Sequence, residues 1–318
     1  MTTKRLLRIA GAGGELGLWE MAPAGRVMLP PVLLLHGATF GSALFDLPLP
    51  GYSLMRELAD GGRFVYAVDI RGYGASGANP VMVSPPEGKP PFSRAREAVE
   101  DVGAAVHEIR QRHSVSSIDL VGFSWGTIVA GWYAARHVGD IRRLALYAPL
   151  FAEANSLWQG RIGDPADASR LAAHFGAWRM ITLPEVYARW DGDVTGDPRD
   201  VREEGVLESL FATLLESDRL PRPDGPPTFR CPNGALADLI EVFDGHPLYD
   251  PGTIRSPVLL VRGADDTTST AADARRLQEA IGSAEKVYLE IPDGSHFLCV
   301  EKNRLSLYRA VTAFLAGD

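Results

Sequence analysis

The chain has 318 residues, of which 46% are hydrophobic, 8% aromatic and 23% charged, a globular balance that excludes collagen-like, coiled-coil and intrinsically disordered classes. Thirty-two basic against forty acidic side chains give a net charge of −8, which argues against nucleic acid as a partner. Cys231 and Cys299 are too few for a disulfide framework and fit no zinc spacing. No apolar run approaches the roughly 20 residues that span a bilayer, and the Met1-Thr-Thr-Lys4-Arg5 start lacks the apolar stretch of a signal peptide. A soluble cytoplasmic protein without a membrane partner, a monomer or homodimer, is the expectation.

In chain order, Leu6–Ile9 and Leu16–Met21 read as an antiparallel pair closed by the turn Gly11–Gly14. Short aliphatic runs then alternate with segments of helical spacing. Pro31–His36, Arg63–Ile70, Ile118–Phe123, Arg143–Tyr147, Pro257–Val261 and Lys286–Ile291 are expected strands; Ser93–His113, Trp125–His137, Thr270–Ile281 and Glu301–Leu315 are expected helices. That alternation predicts an α/β fold, a mostly parallel sheet whose continuous apolar strands are buried on both faces. From 151 to 252 no buried strand is evident. Ala166–Phe175, Val201–Leu215 and Leu236–Phe243 read as helices between Pro- and Gly-rich breaks, which suggests a helical cap at 151–252 inserted into a core of 1–150 and 253–318. The long connections Ala38–Ser53 and Gly72–Phe92 are expected to border a functional site.

Gly122-Phe123-Ser124-Trp125-Gly126 places a G-x-S-x-G pattern between an expected buried strand and a helix. A serine at the tip of so tight a turn sits in strained backbone geometry, and side chains at the glycine positions would collide. The helix that follows points its first N–H groups at the place where an oxyanion would form. Such a hydroxyl needs a base, and the base needs a carboxylate to orient it. His107, His113 and His137 fall on expected helices as surface residues, and His174 and His246 lie in the expected cap. His296, in the loop Asp293-Gly-Ser-His296-Phe297 after the last strand, can reach a serine at the strand ends. Asp265 and Asp266 follow another strand; either could be the acid, and Asp265 could instead cap the next helix.

These segments resemble the α/β-hydrolase superfamily. His36-Gly37-Ala38 is similar to its H-G-x segment, Asp69-Ile-Arg-Gly-Tyr-Gly-Ala-Ser76 to its structural D-x-R-G-x-G-x-S loop, Gly263-Ala-Asp-Asp266 to its acid loop and Gly294-Ser-His296-Phe297 to its terminal G-x-H-F. The resemblance implies an eight-stranded sheet with helices on both faces. It also implies a Ser124–Asp266–His296 triad and an oxyanion hole built from the N–H groups of Ala38 and Trp125. The serine separates the chain from epoxide hydrolases and haloalkane dehalogenases, which carry aspartate there. Ser124-Trp125-Gly126 is similar to proline iminopeptidases, but the segment after His36 departs from theirs, and Gly126-Thr127 departs from carbon–carbon bond hydrolases.

The expectation is a carboxylesterase-like serine hydrolase without metal or cofactor, acting through an acyl-enzyme on a small molecule with an apolar acyl or aromatic group. Thioester, amide, lactone or C–C cleavage, acyl transfer, and a ligand-binding homologue without catalysis are the alternatives. Ten cap aromatics (Phe151, Trp158, Phe175, Trp178, Tyr187, Trp190, Phe211, Phe229, Phe243 and Tyr249) are candidates for packing, a few of them for the pocket; Glu153, Glu203 and Glu204 are candidates for binding an amine. Gly11-Ala-Gly13-Gly14-Glu-Leu16 fails as a dinucleotide fingerprint, because its sixth position is leucine and a strand follows. Cys299 reads as a buried, inert thiol.

Overall fold

The first two strands, β1 (Thr3–Gly11) and β2 (Gly14–Ala22), form the expected antiparallel pair in this computed structural model. It describes residues 3–218, 220–221 and 224–317. Met1, Thr2 and Asp318 of the expected core, and Arg219, Arg222 and Pro223 of the expected cap, lie outside the described residues. The chain continues through β3 (Val32–Leu35), α1 (Leu54–Asp60), β4 (Val65–Val68), α2 (Ala95–His113), β5 (Ile118–Phe123), α3 (Trp125–Arg136) and β6 (Ile141–Tyr147).

Residues between β6 and the next sheet strand then form α4 (Ser156–Ile162), β7 (Gly163–Asp164), β8 (Asp167–Leu171), β9 (Trp178–Ile181), α5 (Leu183–Asp191), α6 (Pro198–Val201), α7 (Val206–Ser217), β10 (Phe229–Pro232) and α8 (Gly234–Phe243). The chain closes with β11 (Val258–Gly263), α9 (Ala271–Ala280), β12 (Lys286–Ile291) and α10 (Arg304–Ala316).

Eight strands make one sheet in the order β1-β2-β4-β3-β5-β6-β11-β12. Only pairs involving β2 are antiparallel, and the parallel run from β4 to β12 matches the expected fold class. Every residue of β3, β4, β5 and β11 is buried, which requires cover on both faces. Helix α1 packs beside α10, and α2 beside α3, each pair against the sheet. The chain runs from β3 to one neighbour, β4, and then to the other, β5, so the crevice outside the carboxyl ends of β3 and β5 is a topological switch point.

Four expectations are corrected. β12 is not buried on both faces: it is the sheet's edge, and Val287 and Leu289 are exposed. Residues 151–252 are not all helical. They contain two hairpins, β7–β8 and β9–β10, and β10 is wholly buried. Ala166–Phe175 is strand β8 plus a single 3₁₀ turn rather than a helix. The Asp164 side chain accepts from the Ala166 N–H at 2.8 Å, and this turn chemistry beside Pro165 overrides an alanine-rich composition. Val201–Leu215 is likewise broken, because Gly205 sits at φ 80° just before α7. The side chains of this segment nevertheless join the sheet's hydrophobic core through Trp158, Val186, Trp190 and Leu210.

Candidate active site

Ser124 occupies the one-residue turn between β5 and α3, with φ 54° and ψ −123°. A non-glycine residue held there stores roughly 1–3 kcal/mol of strain. The flanking glycines make the turn possible: a Cβ on Gly122 would lie 2.5 Å from the Gly126 carbonyl oxygen, and one on Gly126 would lie 2.5 Å from that of His36. The backbone is fixed from both sides, because Ser124 N–H donates to the Tyr147 carbonyl at 3.0 Å and Thr127 Oγ1 donates to the Ser124 carbonyl at 2.6 Å.

Ser124, Asp266 and His296 are brought into one hydrogen-bonded line. His296 Nε2 lies 2.9 Å from Ser124 Oγ, and His296 Nδ1 lies 2.8 Å from Asp266 Oδ2. All three are buried, with 5%, 3% and 2% of their surface exposed in chain order. The other Asp266 oxygen accepts from the N–H groups of Thr268 and Ser269, both at 2.8 Å. A carboxylate facing Nδ1 keeps the proton there, so the Nε2 lone pair is turned to the serine. Asp265 is exposed, and α9 is capped by Thr270, which accepts from the Asp273 N–H at 3.1 Å. The capping reading of Asp265 is therefore corrected.

The loop carrying His296 is anchored on both sides. Tyr147 Oη donates to the His296 carbonyl at 2.7 Å. Glu301 accepts from the Ser295 N–H at 2.9 Å, from the Ser295 hydroxyl, and from Trp190 Nε1 at 3.2 Å. Burial pushes the Glu301 carboxyl up to about 7, against the pull of these donors.

Ala38 is positioned by the peptide before it and by its own carbonyl. His36 Nδ1 donates to the Gly37 carbonyl at 2.8 Å while Nε2 accepts from the Ile70 N–H at 3.1 Å. Burial lowers the His36 pKa, so the ring stays neutral in this donor–acceptor arrangement. In a planar trans peptide the C=O and N–H point opposite ways. With the Gly37 carbonyl held by His36, the Ala38 N–H faces away from that ring. The Ala38 carbonyl accepts from Tyr73 Oη at 2.8 Å and from Cys231 Sγ at 3.2 Å. A Cβ on Gly37 would lie 3.1 Å from Ser124 Cβ, so this loop abuts the serine. The Trp125 indole turns away and donates to Asp238 at 2.9 Å. Only its main-chain N–H, one of the unsatisfied first groups of α3, is available toward Ser124.

Above these groups lies a cavity of about 320 Å³, lined by Ser124, His296 and the Gly37–Phe40 loop on the sheet side and by α4, β9, α5 and α8 on the other. Of the ten aromatic candidates, Trp158 and Phe175 line it. The rest do not: Phe243 stacks on Trp158 from behind and Trp190 packs on Phe297. Glu153, Glu203 and Glu204 do not line it either, which corrects their reading as amine binders. The sequence reading missed Arg161, Arg179, Glu185 and Arg189, which do. A usable signal existed for α5, since Thr182-x-x-Glu185 forms a capping box. Nothing marked Arg179.

The Asp69 loop is structural, as expected: Asp69 accepts from Ser42 N–H, Ser42 Oγ and Ala75 N–H at 2.9, 2.6 and 2.9 Å. Cys299 is buried and unpaired, and burial pushes its thiol well up. His107, His137, His174 and His246 are exposed, whereas His113 is half-buried against Tyr66, 2.8 Å from its hydroxyl. Among the described residues no cluster of three or more His, Cys, Asp or Glu side chains could hold a metal ion. No helix among them is long and apolar enough to cross a membrane.

The parallel sheet, its strained serine turn and the buried serine–histidine–aspartate line define an α/β hydrolase. The chain belongs to that family: the model for the alpha/beta hydrolase fold matches residues 30–303. It is 29% identical over 273 residues, covering 84% of this chain and 87% of the relative, to pimeloyl-[acyl-carrier protein] methyl ester esterase of Chromobacterium violaceum. A hydrolase from Pseudomonas aeruginosa matches with a TM-score of 0.67 at 21% identity, over 99% of both chains. A thermophilic esterase from Thermogutta terrifontis matches with a TM-score of 0.60 at 17% identity, over 98% of both chains.

Proposed function

We propose that the protein is a serine hydrolase that cleaves carboxylic esters through an acyl-enzyme. The observation that carries this reading is the continuous Ser124–His296–Asp266 line, with contacts of 2.9 and 2.8 Å, at the wall of a mainly apolar cavity. His296 Nε2 removes the hydroxyl proton as Ser124 Oγ attacks the ester carbonyl, and Asp266 stabilises the imidazolium without taking its proton. The N–H groups of Ala38 and Trp125 receive the oxyanion. His296 returns the proton to the departing alkoxide, which leaves as the alcohol. Water, deprotonated by the same nitrogen, then attacks the acyl-enzyme, and the acid leaves with Ser124 restored.

The esterase relative from Chromobacterium violaceum supports an ester over other acyl substrates. We further propose that residues 151–252 act as a cap over a core of 1–150 and 253–318, because they supply Trp158, Phe175, Arg179 and Val186 to the wall facing Ser124. Ser124→Ala is expected to abolish fluorophosphonate labelling and to lower turnover of a short-chain chromogenic ester by about 10³-fold or more, with the circular dichroism spectrum unchanged. Full turnover by that variant would refute the assignment.

A further inference from the structure

Resting on the reading of Ser124 as nucleophile, we propose that Arg179 is a specificity residue for a substrate carboxylate, and that the preferred ester bears one negative charge away from the scissile bond. Arg161, Arg179 and Arg189 line the cavity with the single carboxylate Glu185. Arg161 and Arg189 are both paired to buried Asp193, Arg161 at 3.3 Å. Both also lie over the Trp158 ring. Glu185 is occupied at the start of α5, accepting from Thr182 N–H and Oγ1 at 2.7 Å. Three guanidinium groups thus stand against two carboxylates, Asp193, which takes Arg161 and Arg189, and Glu185, which pairs with none of them, and one positive charge is left over.

That charge belongs to Arg179. Among the described residues no carboxylate comes within 4.0 Å of it. Its contacts are neutral: Nη1 donates to the Asn233 side chain and to the Pro232 carbonyl at 3.5 Å, and Nη2 donates to Thr39 Oγ1 at 3.3 Å. A guanidinium has five N–H donors. These contacts use three, which leaves Nε–H and one Nη2 hydrogen without an acceptor among the described residues. Arg179 is half-buried on β9, in a wall shared with Phe175 and Ile181, where a charge without a counter-charge is costly. Thr39 follows Ala38 directly, so the free donors stand at the oxyanion-loop end of the cavity that holds Ser124. Two donors and one unmatched charge fit a carboxylate, a planar monoanion with two acceptor oxygens. A phosphate dianion would need a second free cation.

The test compares matched ester pairs: monomethyl esters of four- to seven-carbon dicarboxylic acids against methyl esters of the monocarboxylic acids of equal length. Wild type is expected to favour the anionic member of at least one pair by about 10- to 100-fold in kcat/KM. Arg179→Gln should bring that ratio close to one, chiefly through KM, and Arg179→Lys should retain part of it. A purely structural Arg179, clamping Asn233 and Thr39, would slow both members alike and leave the ratio untouched; that result, or a wild-type ratio near one for every pair, overturns the proposal. The same half-esters are titrated by tryptophan fluorescence into folded Ser124→Ala protein with and without Arg179→Gln. Charge-dependent binding there supports the subsite even if wild type hydrolyses no ester. Equal binding of charged and neutral ligands overturns it, whatever the chemistry.

Discussion

Ser124, Asp266 and His296 stand on turns that follow sheet strands, whereas Arg161, Arg179 and Arg189 face them from a short helix, a four-residue strand and a nine-residue helix. On the sheet side every group is over-determined. Ser124 is pinned through its N–H and its carbonyl, Asp266 through two main-chain donors, and the His296 loop through Tyr147 and Glu301. On the facing side the arginines are half-buried or exposed; Arg161 and Arg189 share Asp193 and the Trp158 ring, and Arg179 is held only by neutral groups among the described residues. Proton transfer tolerates errors of a few tenths of an ångström, while binding a flexible acyl chain does not demand that accuracy. On the function proposed above, one wall serves the chemistry and the other the choice of substrate.

The largest way to break that division is Asp266→Asn. It keeps the shape but favours the wrong imidazole tautomer, and kcat is expected to fall by about 10⁴-fold, read in steady-state kinetics with KM little changed. A loss confined to KM would place Asp266 on the recognition side. Phe175→Ala sharpens the contrast from across the cavity. Its ring lines the wall but belongs to none of the hydrogen bonds that join Ser124, His296 and Asp266, and KM is expected to rise by about 10-fold with kcat within about two-fold of wild type. A kcat effect as large as the KM effect would merge the two walls into one machine.

The smallest expected effect probes the anchoring of the His296 loop. The folded Glu301 carboxyl keeps its proton up to about pH 7, while in the unfolded chain it ionises near 4.5. Its folded pKa is raised, so its contribution to stability is fully present below pH 4.5 and is lost as the pH rises through 7. The melting midpoint of wild type relative to Glu301→Gln should therefore fall by a few degrees between about pH 5 and about pH 8. Asp238 and Asp273, each pushed up to about 6 by burial, titrate in both proteins and cancel from the difference. A flat difference would mean that Glu301 is ionised throughout.

The two walls also differed in how far they could be read from sequence. Pro31–His36 and Ile118–Phe123 announce buried strands because a doubly covered strand has no polar face to alternate with. Gly122 and Gly126 announce the turn because no other residue fits there. His296 was legible from its place after the last strand. Asp266 against Asp265 was not legible from the side chains alone, since the choice depends on which of two neighbours is buried beside the Thr268 and Ser269 N–H groups. The facing wall was mostly illegible. Strand β9 is four residues long and pairs with β10 across some fifty residues of intervening chain, and such a pairing leaves no local periodicity. Arg179 reads as an ordinary solvated residue until Thr39, Asn233 and the cavity surround it.

Cys231 has a consequence for anyone who would re-engineer the molecule. Its thiol reaches from strand β10 to the same Ala38 carbonyl that Tyr73 holds. Residues 151–252 therefore also brace the Ala38 loop, besides the covering role proposed for them above. A chimera that grafts a foreign segment onto this scaffold in search of new selectivity would also loosen the bracket behind the Ala38 N–H, proposed above as an oxyanion donor, unless the graft restores a small donor at that place.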